Sequence, residues 1–130
     1  MEIKLTPQVS EEYFYNSLCN GLAYLSGYGL SVAFDKTKYK EAKELLQIRL
    51  SSSVAICYED VLMQMLRNRD KIGVYDDESE EYTYITMEDV HERVQLTDAR
   101  HLLDMINEND DAITADCILQ TVFFKEIVFG

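Results

Sequence analysis

The C-terminal segment AITADCILQTVFFKEIVFG, residues 112–130, restricts the possible folds more than any other part of the chain. Its apolar residues lie around much of the helical circumference, so a helix formed here must be covered on most sides. The pattern predicts either a central helix buried by the rest of the chain or a helix with a face that another subunit covers. The final residues, EIVFG, can also leave the helix as a strand.

Apolar residues at spacings of three and four predict further helices along the chain. The first has Ser10 as its N-cap and places a stripe of apolar side chains on one face: Phe14, Leu18, Leu22 and Leu25. Four further helices are expected to start at Asp35 or Thr37, at Thr86 with Asp89 as its capping partner, at Thr97, and at Asp110 or Asp111. The start of one more helix is left open within SVAIC, because this segment is also compatible with a strand. A short buried strand, LSVAF, is expected between the first two helices.

Residues 71–86, KIGVYDDESEEYTYIT, alternate apolar and polar side chains on both sides of an acidic centre. Ile72 and Val74 alternate against Thr83 and Ile85 with the period of two that is typical of strands buried on one face. The centre contains neither Asn-Gly nor Asp-Gly, so a loop of at least about four residues is expected instead of a two-residue turn. The stretch therefore predicts an antiparallel hairpin.

These patterns predict one α+β domain over residues 1–130, mostly helical, with a small antiparallel hairpin or sheet. No repeat and no linker rich in Gly, Ser or Pro divides the chain. Its three cysteines, Cys19, Cys57 and Cys117, have apolar neighbours, so buried reduced thiols are expected. Reduced thiols, no signal-peptide pattern and no long apolar run together predict a cytoplasmic protein without membrane insertion.

The charge of the chain is strongly acidic and unevenly distributed. Residues 50–130 contain eighteen acidic and six basic residues, which accounts for the whole net charge of −12. Binding to nucleic acid requires Lys and Arg to neutralise phosphates, so direct contact with nucleic acid or with an anionic membrane is disfavoured. A protein partner with a basic surface is the expected binding partner.

The predicted function is therefore a non-enzymatic, acidic protein–protein interaction module. If its carboxylates lie in rows, it can act as an inhibitor that imitates nucleic acid on the basic surface of its partner. A solvated acidic face that only keeps the protein dissolved is the simpler interpretation of the same residues. The predicted partner-binding residues belong to the hairpin and to the helix that follows it: Asp76, Asp77, Glu78, Glu80, Glu81, Glu88 and Asp89.

A second hypothesis is a structural subunit of a homo- or hetero-oligomeric assembly, such as a component of a viral particle. In that case the apolar C-terminal segment and the tyrosine-rich first helix are covered by other chains. Nine tyrosines are available as interface anchors, although half-buried positions of a small core accommodate them equally well. Its small size, acidity, few glycines and lack of a catalytic signature give the chain the general character of accessory proteins of bacterial viruses or mobile elements.

A third hypothesis is a metal-dependent enzyme. Glu88 and His91, and likewise His101 and Asp104, are three residues apart and share a helix face, as ligands of zinc, iron or manganese do. A second Glu-x-x-His pair is missing, so surface histidines near acids are the preferred interpretation. Cys57 or Cys117 can also be paired with a histidine as a nucleophile, but their apolar neighbours disfavour a thiolate. No cofactor, metal or catalytic residue is therefore predicted.

Overall fold

The computed structural model describes residues 2–50 and 55–130. In these residues it contains six helices and a three-stranded antiparallel sheet, with 61% helical content, which confirms the predicted mostly helical α+β class. The elements in chain order are α1 Pro7–Gly27, β1 Leu30–Ala33, α2 Lys36–Arg49, α3 Tyr58–Arg67, β2 Ile72–Asp76, β3 Glu81–Ile85, α4 Met87–Arg93, a 3-10 turn Val94–Leu96, α5 Ala99–Ile106 and α6 Ala112–Phe124.

The C-terminal helix α6 lies at the centre of the core, as one of the two interpretations of its sequence predicts. Nine of its thirteen residues are buried, and it packs along the length of α1. The ring of Phe14 on α1 lies 6.2 Å from that of Phe123 on α6. The apolar composition of α6 is therefore explained by contacts within the chain. In the part of the chain that the structure describes, no helix has the length and apolar character needed to cross a bilayer.

The sheet has the strand order β1-β2-β3, and both pairs of neighbouring strands are antiparallel. One face carries the buried residues Leu30, Ile72, Val74 and Ile85, which join the helical core. The alternate positions of β2 and β3 point away from that core. The predicted hairpin is therefore present, and β1 extends it to three strands.

Several predicted helix starts are confirmed by hydrogen bonds. The Asp35 carboxylate accepts the N–H of Thr37 at 2.8 Å at the start of α2. At the start of α4 the Asp89 carboxylate accepts the N–H of Thr86 at 2.9 Å. Asp111 begins α6, where its side chain accepts a backbone N–H at 2.9 Å. These side chains satisfy N–H groups that have no partner within the helix.

Two predicted starts are wrong by a few residues. The helix α1 begins at Pro7 with Thr6 as its cap, since proline suits the first helical position, and Ser10 lies inside the helix. The cap of α5 is Asp98, not the buried Thr97. The start of α3, which the sequence left open within SVAIC, is at Tyr58 with Cys57 as the N-cap; residues 55–57 form no strand, and residues 53 and 54 lie outside the described residues.

The C-terminal residues after α6 form an irregular segment and not a strand. The buried side chain of Gln120 holds them: its Oε1 accepts the N–H groups of Val128 and Phe129, both at 2.8 Å, and its Nε2 donates to the Phe129 carbonyl at 3.1 Å. Nε2 also donates to Asp116 at 3.0 Å. The Phe129 ring stacks on Tyr28 at 5.2 Å. One glutamine therefore replaces the hydrogen bonds that a neighbouring strand would provide.

The predicted burial of the cysteines is wrong for two of the three. All are free thiols, but Cys19 and Cys57 are exposed and Cys117 is half-buried. Cys19 lies on the outward side of α1, and Cys57 immediately precedes α3. Apolar neighbours in sequence failed as a guide here because residues next to each other on a helix point in different directions.

Candidate interaction surface on the hairpin

The hairpin ends in a four-residue loop that backbone hydrogen bonds hold in place. The N–H of Glu80 donates to the carbonyl of Asp76 at 2.8 Å, and the Asp76 carboxylate accepts the N–H of Glu78 at 2.9 Å. The N–H of Asp77 donates to the carbonyl of Gly29 at 3.0 Å, which joins the loop to the start of β1. The loop has the predicted length, and its backbone polar groups are engaged within the fold.

The acidic tip consists of Asp76, Asp77, Glu78, Glu80 and Glu81. All of these except Asp76 are exposed, and Asp76 is half-buried because it closes the loop. Asp76 and Glu81 are also direct cross-strand partners, an arrangement in which like charges repel. None of the ion pairs found within residues 2–50 and 55–130 includes a carboxylate of the acidic tip. The negative charge of the tip is therefore directed at solvent.

Glu88 and Asp89 lie at the other end of β3 from the acidic tip. Glu81 and Thr86 are five positions apart in the chain, which corresponds to about 17 Å along a strand. Asp89 is engaged within the fold, because it caps α4 and pairs with Arg93 at 3.1 Å. Glu88 is exposed. The predicted site residues are thus divided into the compact tip and one separate exposed glutamate.

Sequence reasoning counted the hairpin tyrosines among the possible interface anchors but did not group them. Three of them share the outer face of the hairpin, which we call the tyrosine face: Tyr75, Tyr82 and Tyr84. Tyr75 and Tyr82 are cross-strand partners with ring centroids 4.7 Å apart. Tyr82 and Tyr84 are 5.8 Å apart, with ring planes only 2° from parallel. Their exposures of 59% and 41% leave much of both rings in contact with solvent. The available signal was the repeat of tyrosine at every second position of an edge strand.

A lysine already lies on the tyrosine face. The Nζ atom of Lys71 is 4.4 Å from the centroid of the Tyr84 ring, within the range of a cation–π interaction. Beside this contact is a cleft of about 390 Å³, lined by Phe34, Asp35, Lys38, Asp70, Lys71 and Tyr84. The cleft therefore combines the Tyr84 ring with the carboxylates of Asp35 and Asp70 and with the ammonium groups of Lys38 and Lys71.

The two histidines of the metal hypothesis are separated by the fold and have different partners. His91 Nε2 lies 2.9 Å from Glu11 on α1, and Arg67 approaches the other oxygen of the same carboxylate at 3.6 Å. His101 Nδ1 lies 3.3 Å from the Thr114 hydroxyl. Among the residues that the structure describes, no three His, Cys, Asp or Glu side chains are grouped as metal ligands. His91 instead helps to join α4 to α1.

The environment of the thiols disfavours the nucleophile hypothesis. Cys57 Sγ donates to the Asp60 carboxylate at 3.0 Å, and this interaction raises the pKa of the Cys57 thiol. Burial raises the pKa of Cys117, and the neighbouring Asp116 adds to the effect. A thiolate forms readily beside positive charge, whereas both thiols lie beside carboxylates. They are therefore protonated at neutral pH.

Replacing Asp60 with asparagine should speed the alkylation of Cys57 by iodoacetamide at neutral pH. The substitution removes the negative charge beside the sulfur, lowers the thiol pKa and increases the fraction of reactive thiolate. Rates are to be measured for each cysteine by mass spectrometry of digests, with Cys117 as the internal reference that should not change. An unchanged or slower rate at Cys57 would show that Asp60 does not control this thiol.

Comparison with known proteins gives no match: no protein-family model fits the chain, and no curated protein or solved structure is significantly similar to it. The function has to be argued from the geometry of the hairpin.

Proposed function

We propose that this protein is a non-enzymatic interaction module whose acidic hairpin binds a basic surface of a partner protein. The observation that supports the proposal is the acidic tip: five carboxylates at the loop end of the hairpin, none paired with a cation in the described part of the chain. Such a group of charges attracts a basic partner over several ångströms and fixes the orientation in which it binds.

The cost of the acidic tip within the fold supports the same proposal. Asp76 and Glu81 face each other across the strands, and Glu80 has a positive φ of 58°, a backbone conformation that glycine adopts more easily. Each feature destabilises the isolated hairpin, since like charges repel and an L-residue is strained in the left-handed region. A cation from a partner would relieve the repulsion.

The shape of the tip indicates which kind of basic surface it fits. The tip carboxylates form a compact group, and the exposed Glu88 lies on α4, beyond the far end of β3, where the chain covers about 17 Å from Glu81 to Thr86. A compact group fits a basic pocket or a basic segment of a partner better than it imitates a long row of phosphates. Inhibition of a nucleic-acid-binding protein then requires that the tip and the nucleic acid compete for one basic pocket.

Amide substitution of the acidic tip is the test of this proposal. The tip variant combines D76N, D77N, E78Q, E80Q and E81Q, which changes the net charge from −12 to −7. Loss of these charges should weaken partner binding by at least about tenfold. A tenfold change in Kd corresponds to about 1.4 kcal/mol of binding free energy, which is a small amount for each of five contacts. Stability should change little, because unpaired surface charges contribute little to folding.

A matched control separates the tip from net charge. It combines E12Q, E44Q, E92Q, D104N and E126Q, which are exposed acids outside the hairpin that occur in none of the described ion pairs. Immobilised wild type, tip variant and control are incubated with lysate of the native cell, and retained proteins are quantified by mass spectrometry. Retention of the same basic protein by the wild type and the control, but not by the tip variant, supports the proposal. Equal retention by all three, or equal loss in both variants, would contradict it.

A further inference from the structure

We infer that the tyrosine face stacks arginine side chains of an extended, arginine-rich segment in the partner. The inference rests on the proposed function, because the same hairpin presents both the acidic tip and the tyrosine face. It adds the chemical class of the ligand and a second group of residues that recognise it: Tyr75, Tyr82 and Tyr84.

The tyrosine face is held open by the sheet beneath it. Gly73 is the cross-strand partner of Tyr84, and a Cβ atom at Gly73 would lie 2.7 Å from the Tyr84 ring. The missing side chain lets the Tyr84 ring lie close over β2, where Tyr82 is nearly parallel to it. Two adjacent aromatic rings are therefore fixed on the outer face before any ligand binds.

The molecule itself shows that this face accepts a cation. Lys71 Nζ lies 4.4 Å from the centroid of Tyr84. The Tyr82 ring is more exposed, at 59%, and among the described residues no cation lies over it. The exposed loop acids Asp77, Glu78 and Glu80 lie one residue pair beyond the cross-strand pair Tyr75 and Tyr82, whereas Asp76 and Glu81 belong to the opposite face of the strands. Tyr82 thus combines an open aromatic surface with an adjoining acidic loop that attracts a positive charge.

The chemistry of these groups favours arginine over lysine. The guanidinium group is planar and weakly hydrated, so it can stack on a tyrosine ring while its N–H groups bind a carboxylate in a forked arrangement. An ammonium group is more strongly hydrated and has no flat surface to stack. A site that offers aromatic rings next to an acidic loop therefore discriminates between the two cations.

The geometry of β3 favours an extended segment as the ligand. Among the described elements, β3 pairs with β2 alone and forms an edge of the sheet. Side chains on one face of an extended chain repeat about every 6.8 Å, a spacing close to the 5.8 Å between the Tyr82 and Tyr84 rings. Arginines at every second position of a partner strand can therefore meet successive rings. Single-stranded nucleic acid also stacks on tyrosine, but the neighbouring carboxylates repel its phosphates.

The experiment measures binding of two octapeptides by calorimetry, one alternating arginine with serine and the other lysine with serine. The wild type should bind the arginine peptide several times more tightly. Tyr82→Ala should weaken that binding by about threefold to tenfold through loss of the cation–π contact, whereas Tyr82→Phe should keep it. Oligothymidylate should not bind.

Lys71 provides a second variant with the opposite expected effect. Lys71→Gln removes the ammonium group that lies over the Tyr84 ring, and with it a positive charge that repels the arginine peptide. The arginine peptide should therefore bind about twofold to fivefold more tightly. Lys43→Gln on α2 removes the same charge from an exposed position elsewhere and should change binding less. Equal affinity for both peptides, no effect of Tyr82→Ala, or equal effects of the two lysine variants would each overturn the inference.

These results also distinguish failure of the inference from failure of the proposed function. If the tip variant loses binding of both peptides while Tyr82→Ala has no effect, the acidic tip binds bases and the tyrosine face does not recognise arginine. If Tyr82→Ala reduces binding while the tip variant behaves like its matched control, the tyrosine face recognises arginine and the proposed role of the tip is wrong. Binding of oligothymidylate in place of the peptides would overturn both.

Discussion

Replacing Gln120 with methionine should lower the free energy of unfolding by about 2–4 kcal/mol, the largest effect that we expect from a single substitution. The buried Gln120 amide makes four hydrogen bonds: two to N–H groups of the C-terminal segment, one to the Phe129 carbonyl and one to Asp116. Methionine keeps the volume but makes none of these bonds. Each is worth about 1 kcal/mol net, and the Asp116 carboxylate loses a buried partner. Urea denaturation of both proteins measures the difference.

A double-mutant cycle with Phe129→Ala tests the reason for this loss. Phe129 stacks on Tyr28 and belongs to the segment that Gln120 holds, so each substitution should release the same segment. Their combined cost should therefore fall short of the sum by about 1 kcal/mol or more. Strict additivity would show that Gln120 stabilises the core independently of the C-terminal segment.

Replacing Gly21 with alanine should lower the free energy of unfolding by about 1–3 kcal/mol. At most helix positions a change from glycine to alanine raises the free energy of unfolding by about 1 kcal/mol, so the loss expected at Gly21 is opposite in sign to the usual effect. The reason is the close approach of α1 to α6: a Cβ atom at Gly21 would lie 2.9 Å from Leu119 Cδ1 and 3.1 Å from the Ala115 backbone. The side chain of Leu119 can move, but the backbone of α6 can do so only by separating the two helices.

Gly27, the last residue of the same helix, provides the matched control. A Cβ atom there meets nothing within 4 Å, and Gly27 has no positive φ. Gly27→Ala should therefore leave stability unchanged or raise it by up to about 1 kcal/mol. Thermal denaturation of both variants tests the pair, and a stabilised Gly21→Ala variant would mean that α1 and α6 are farther apart than described.

Much of the fold could be predicted from local patterns. The alternation around Val74 and Thr83 located the hairpin, and the apolar circumference of residues 112–124 identified the central helix. The wrong helix starts at Ser10 and Thr97 have one cause: several neighbouring residues can cap, and the sequence does not show which one leaves the helix. The sequence also allows a strand in EIVFG, and the irregular path that this segment follows depends on its tertiary contacts with Gln120.

The candidate site was predictable only in part. The exposure of the acidic tip follows from a hairpin loop with no apolar residue. The separation of the tip from Glu88 depends on the path of β3, and the positions of acidic residues in the sequence do not indicate that path. The tyrosine face depends on the register that pairs Tyr75 with Tyr82 and places Gly73 beneath Tyr84. Cross-strand register is set by the whole sheet, so the three tyrosines could not be grouped beforehand.

A nuclear magnetic resonance titration of the labelled protein with the arginine–serine octapeptide shows directly whether the acidic hairpin is the binding surface. Backbone shift changes should be confined to the hairpin, residues 71–86, and should diminish as salt is added, because exposed charges are screened. The tip variant should show much smaller changes, and the matched control should resemble the wild type. Changes centred on α2 or the C-terminal segment, or small changes spread over the whole chain, would contradict the claim that the acidic hairpin is the binding surface.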